Sequence, residues 1–217
     1  IGALVVLSMA ANLTSEQAVA LKKSAGIANE YAAMIKDYCQ YLHTVNSVYR
    51  LVPPAVFAAG RITSLTPEQS PGNKPVESVV ATERTIADQP YDLDERGMLT
   101  AAGILFITNP VPAGNFFGLA HGLNTSANSA INGIEWPRMT NFLAYSLVGA
   151  FGEFIDQNQT TRKDDPVRAA AKTKLLNFFS DLKRNGLIED FKVNMEYSEA
   201  GETPNTKQSV RDGFMKA

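Results

Sequence analysis

Acid/base or nucleophilic chemistry in this chain would have to come from a short roster: His43, His121, the single Cys39, and the acidic runs Asp92/Asp94/Glu95 and Asp164/Asp165. The histidines lie far apart, and neither a second cysteine nor an HxxxH pair supplies metal-ligand spacing. His43 follows a long periodic segment, the position of a terminal or surface residue. His121 sits in Gly118-Leu-Ala-His-Gly122, loose enough to approach a ligand, although a structural or interface role is the stronger reading. Each acidic run stands where a helix is predicted to begin, so capping of free amides outranks catalysis. The chain has no GxGxxG after a strand, no GxxxxGK[ST] and no GxSxG, which removes the usual support for dinucleotide, phosphate-loop and hydrolase chemistry. No catalytic residue, metal ligand or cofactor is assigned.

The 217 residues are enough for one core and predict a single α/β domain over 1–217. A formal net charge of −2 gives no global field for holding phosphate backbones, so nucleic acid is not an expected partner. A membrane is not expected either, because the apolar opening, Ile1 to Leu13, lacks a basic leader and is too short to span. It reads as a strand, Ala3 to Leu7, and a chain that begins inside a strand reads as a fragment. Cys39 excludes an intrachain disulfide, points to a reducing cytoplasm, and its periodic position suggests a buried small hydrophobe.

The elements follow from spacing. Thr14-Ser15-Glu16-Gln17 is a capping box, and behind it Leu21, Ala25, Ala28, Ala32, Ile35, Cys39 and Leu42 recur at steps of four and three. That pattern predicts a helix over Ser15 to Leu42, with Lys22, Lys23, Glu30, Lys36 and Asp37 solvated. Prolines 53 and 54 predict a short strand in the apolar run ending at Gly60, then a loop to Pro75, and Val76 to Thr82 reads as another strand. Asp92 or Asp94 caps a helix that Gly103 ends, and Ile104-Leu105-Phe106-Ile107, with no polar alternation, predicts a central strand covered on both faces. A helix from Pro137 to near Gln157 carries a broad apolar face. The next has Asp165 as cap, Pro166 in its first turn and Gly186 just past its end. Leu187 to Met195 alternates like a strand, and Tyr197 to Gln208 is polar and turn-rich. The whole predicts an α/β fold with a mixed sheet flanked by helices.

Between Arg162 and Arg184, the basic residues Arg162, Lys163, Arg168, Lys172, Lys174, Lys183 and Arg184 outnumber Asp164, Asp165 and Asp181. A solvated helix face whose last turn matches the macrodipole accounts for this. A basic face that meets an acidic partner is the sharper alternative.

Several short motifs, in order, resemble the C-terminal part of contractile-tail sheath proteins of myovirus-type bacteriophages and related injection machines. Val52-Pro-Pro-Ala-Val-Phe-Ala-Ala-Gly60 is similar to that family's P-P-S-x-x-x-A-G, and Pro71-Gly-Asn-Lys-Pro75 to its Gly/Lys/Pro loop. Leu99-Thr-Ala-Ala-Gly103-Ile104 resembles its L-N-x-x-G-I-N. Phe117-Gly118-Leu-Ala-His-Gly122 resembles its W-G-x-R-T, with His121 and Gly122 in place of Arg-Thr. Arg138-Met139 looks like the end of its V-R-R strand, and Phe191-Lys-Val193 with Thr203 to Thr206 like its last strand and loop. The resemblance covers about Val52 to Phe214.

It implies a non-enzymatic structural subunit, found in the virion tail and assembled in the host cytoplasm. Such a subunit polymerises helically around a tail tube and contracts to drive the tube through the host envelope. The partners implied are further copies, joined by strand exchange between N- and C-terminal arms, the tube protein, the baseplate and the tail terminator. Neither arm is evident here, so the chain is expected to be a core that forms no sheath alone. The family's tube is met through basic side chains, for which Arg168, Lys172 and Lys174 are the candidates by charge alone. The alternative is an α/β enzyme or small-molecule binder using the loop around His121 and the helix start at Pro137.

Overall fold

A computed structural model describes residues 2–154, 157, 160, 162, 164–196 and 205. They fall into two compact units, Ile1–Ala144 and Tyr145–Ala217. In chain order the first unit holds β1 (Val5–Ser8), α1 (Ser15–Ala25), β2 (Ala32–Lys36), β3 (Cys39–His43), β4 (Val48–Val52), α2 (Pro54–Thr63), β5 (Ala81–Thr82), α3 (Glu83–Ile86), α4 (Leu93–Ala101), β6 (Ile104–Thr108) and β7 (Gly118–Leu119). Helix α5 (Glu135–Phe151) starts in the first unit and ends in the second, where a 3-10 turn (Gly152–Phe154) and α6 (Pro166–Arg184) follow.

Every residue of β6 is buried, as its unbroken apolar sequence requires. It lies in a four-stranded sheet of order β1-β2-β6-β7, with β1, β2 and β6 parallel and β7 antiparallel. One face of that sheet, from Ala33, Ile35, Leu105 and Ile107, packs on Ala58 and Ile62 of α2. The opposite face, from Met34, Ile104 and Phe106, packs on Ala18 of α1 and Leu99 of α4. The alternation of side chains along a strand thus sends successive residues to two separate cores. A second, antiparallel sheet has the order β4-β3-β5. In the second unit Ala171, Leu175 and Met195 form a small core with Leu147, Phe151, Phe154, Phe179 and Val193.

The helix expected over Ser15 to Leu42 stops at Ala25. Its capping box is present, but Gly26 takes the left-handed conformation (φ 63°) and its N–H closes on the Lys23 carbonyl, a helix stop that ends the spiral. The apolar stripe beyond it belongs instead to β2 and β3, two short strands whose hydrophobic residues happen to fall three and four apart. Pro54 opens α2 where a strand was expected. Its missing N–H is not needed in a first turn, and the Ser8 hydroxyl takes the Ala55 amide (3.1 Å). The strand expected over Val76 to Thr82 shrinks to Ala81–Thr82, and Leu187 to Met195 forms none. Phe191, Val193 and Met195 still alternate toward the interior, but no described strand lies beside them to complete a ladder. Lys163 and the polar stretch 197–208, apart from Asn205, lie outside the described residues.

Lys36 and Asp37, expected in solvent, are instead 1% and 2% exposed at the end of β2 and form an ion pair of 2.8 Å. Lys36 also donates to the Tyr91 hydroxyl (2.9 Å) and stands 4.9 Å from its ring centre, while the Arg84 guanidinium lies 4.7 Å from the same ring. Arg84 continues to Glu95 (2.5 Å), and Glu95 accepts from the Ser15 hydroxyl (3.0 Å). Burial pushes the Asp37 carboxyl up, against the pull of Lys36. A charge taken this far from water is tolerable only with such partners.

The loop after β7 is tied down by polar groups. The fully buried Asn124 donates to the carbonyls of Ile131 and Gly133 and accepts from the Ser126 amide. Gly103 (φ 61°) passes so close that a Cβ would come within 2.5 Å of the Asn124 carbonyl. His121 accepts the Leu123 amide at Nδ1 (3.2 Å), which places its proton on Nε2, where it donates to the Ile104 carbonyl (2.9 Å). Burial lowers its pKa to about 4 despite that carbonyl. The folded histidine therefore stays neutral where the unfolded one takes a proton. Its contribution is complete above about pH 6.5 and shrinks as pH falls toward 4, by up to about 3 kcal/mol. Urea titrations between pH 7 and 4.5 should show that decline, and His121→Gln should flatten it from a lower starting stability. Equal slopes for the two proteins would contradict this account of His121.

Candidate functional site: two open sheet edges

Among the described residues, β1 and β4 each have a strand neighbour on one side only, as does β5, a two-residue strand that runs directly into α3. β7, by contrast, is covered on its far side, where the Asn73 and Val76 amides donate to the Leu119 and Phe117 carbonyls (2.8 Å each). β4 is the second strand of a hairpin closed by Thr44 to Ser47, with Cys39 opposite Val52, Gln40 opposite Leu51 and Tyr41 opposite Arg50. The carbonyls of Tyr38 and Gln40 accept from the β5 side, from Glu83 and Val80. Backbone groups alternate along a strand, so residues 39 and 41 face β4, and their partners Val52 and Arg50 face back. Tyr49 and Leu51 then direct their N–H and C=O groups outward, where no described strand lies.

The side chains at this edge are apolar and bare: Tyr49 is 59% exposed, Val48 51% and Leu51 48%. At the other open edge Val5 and Leu7 are also exposed. An edge strand with free ladder groups and exposed hydrophobic side chains is a template for another strand. Neither proline nor a bulge blunts β4, and Arg50 is its only charge. This arrangement can do no bond chemistry. It can add backbone hydrogen bonds, with side-chain contacts on both faces of the new strand.

The sequence candidates for chemistry are spent elsewhere. Both ring nitrogens of His121 are committed to backbone groups, leaving none for a substrate. Pro137 is buried in the first turns of α5, and Arg138 holds the Leu65 and Gln69 carbonyls. Asp92 caps α4 through the Glu95 amide (2.7 Å), and Asp165 caps α6 through the Arg168 amide (2.9 Å). Burial raises the Asp165 pKa, but its hydrogen bonds from Arg168 and Thr160 outweigh that and hold it low. Cys39 is buried, and burial pushes its thiol up to about 12, far from a reactive thiolate.

The basic cluster is not one surface. Arg168 is 4% exposed, and its guanidinium donates to the Thr160 and Arg162 carbonyls, so it braces the entry to α6. Lys174 pairs with Glu153 (2.6 Å), Lys183 with Asp190 (3.0 Å) and Arg184 with Asp181 (2.9 Å). Lys172 lies half-buried on α6.

No protein-family model and no curated protein sequence matches the chain. Solved structures do. The sheath complex of the extracellular contractile injection system PVC, in its contracted state, matches 98% of this chain with a TM-score of 0.76 at 15% identity. A chain of the anti-feeding prophage (AFP) baseplate matches 97% with a TM-score of 0.68 at 12% identity, and a sheath tail protein of Desulfitobacterium hafniense 86% with a TM-score of 0.60 at 15%. The chain spans 58%, 53% and 39% of those three chains respectively. At such identities the likeness is one of fold, and the chain has the fold of contractile sheath proteins.

Proposed function

We propose that this chain is the core of a contractile-sheath subunit, which polymerises with copies of itself in a helical layer around an inner tube and re-packs when the layer shortens. The observation that carries the reading is the open β4 edge, where Tyr49 and Leu51 point backbone groups with no described partner strand, and exposed side chains, outward from the second sheet. Strand addition from a neighbouring copy satisfies those groups and keeps copies linked while their rigid cores move. The partners are further copies, a tube protein, and the baseplate and terminator that end the layer. The assembly belongs to a virion or virion-like tail put together in the host cytoplasm. Tube contact falls to Lys172 and Lys174 of the original three candidates, since Arg168 is turned inward.

Leu51→Pro removes one outward N–H and leaves the pairing of β4 with β3 in place. The variant should melt within a few degrees of the parent and fail to enter sheaths assembled around a tube, as judged by electron microscopy. Incorporation at the parental level would refute strand addition at β4. Charge reversal at both Lys172 and Lys174 should weaken tube binding at low salt by about tenfold and matter less as salt rises. Unchanged binding would remove those two residues from the tube face.

A further inference from the structure

Helices α1 and α4 lie side by side and point the same way: Ser15 meets Glu95 at their starts, and Lys22 donates to the Ala102 carbonyl at their ends. Acids therefore gather at one end of the pair, with Glu16, Asp92 and Asp94 all exposed, and lysines at the other, with Lys23 exposed beside Lys22. Each helix needs that polarity for its own dipole. The dipole does not explain two further features. At the acidic end Leu93 stands 85% exposed between Asp92 and Asp94, an apolar knob with a charge on either side. At the basic end is a groove of about 330 Å³, walled by Val19, Ile27, Ala102 and Ala127, with Lys22 and Lys23 in its lining and no carboxylate among its residues.

We propose that the groove of one copy receives Leu93 of a second copy, with Lys23 meeting Asp94 at the rim. Knob and groove sit at opposite ends of α4, which is roughly 13 Å long. No copy can fill its own groove. The contact uses different surfaces on the two partners, so it leaves a free knob and a free groove after every addition and grows as an open row unless its rotation closes a ring. This rests on the sheath reading for its purpose, since a helical layer needs such a non-closing contact, but uses neither β1 nor β4. Copies would then keep a second, weaker link to each other, one that can break and re-form while strand-paired edges hold.

The test is sedimentation velocity of the full 217-residue chain at low salt over a range of concentrations. The parent should associate reversibly. Leu93→Ser, Lys23→Glu and Asp94→Lys should each weaken association by about tenfold or more. The double variant Lys23→Glu/Asp94→Lys should recover to within about threefold of the parent, because the swapped charges still complement each other. All three side chains are exposed, so Leu93→Ser should hold its melting temperature, while the two charge reversals, which oppose their own helix dipoles, should lower it by a few degrees at most; a variant that stays folded in that range reports on the contact. A parent that stays monomeric throughout, association indifferent to all three single variants, or no recovery in the double variant would each overturn the contact. The sheath reading would survive any of these if the parent still enters tube-bound sheaths and Leu51→Pro does not.

Discussion

A strand with no polar face has to be covered on both sides, and β6 imposes that demand on the first unit. Ile104 to Thr108 are buried without exception, so one side of the sheet goes to α2 and the other to α1 and α4. Once both faces are used, the sheet can meet another molecule only along its edges or through the ends of its helices. The far side of β7 is closed by residues 73–76, which leaves β1 in this sheet, while the edge at β4 belongs to the second sheet. The features available for assembly are therefore a consequence of how the core is buried.

The same burial explains the polar network at the end of β2. Lys36 and Asp37 come off a strand that sits between two layers, and neither can reach water. Tyr91, Arg84, Glu95 and Ser15 form a chain of partners that joins the strand end to α3, α4 and α1. Asp37 has φ 68°, a left-handed bend between β2 and β3 at the entry to the hairpin that carries the open edge. Position, more than affinity, is what this buried pair supplies.

Much of this was legible from residue order. The continuous apolar run of β6, the Thr14 capping box, and the Asp165, Pro166 and Gly186 boundaries of α6 all appear where their chemistry places them. The centre of the first unit was not legible, because short strands at β2 and β3 mimic a helical period and only Gly26 marks the break. Pro54 misled in the other direction, since one residue type serves both to end a strand and to begin a helix. Of the candidate site, the basic cluster showed charge without showing depth: Arg168 is buried where its spacing placed it on an outer face. The β4 edge carried no motif at all. Tyr49 and Leu51 gain their meaning from which strand fails to lie beside them, a fact of topology that no local pattern records.

We infer that β4 waits for a strand from another copy. Amide hydrogen exchange at Tyr49 and Leu51, followed in the isolated chain and in assembled sheaths, addresses it most directly. The account predicts fast exchange in isolation and strong protection on assembly, with β6 protected in both states. Equal exchange of those two amides before and after assembly would contradict it.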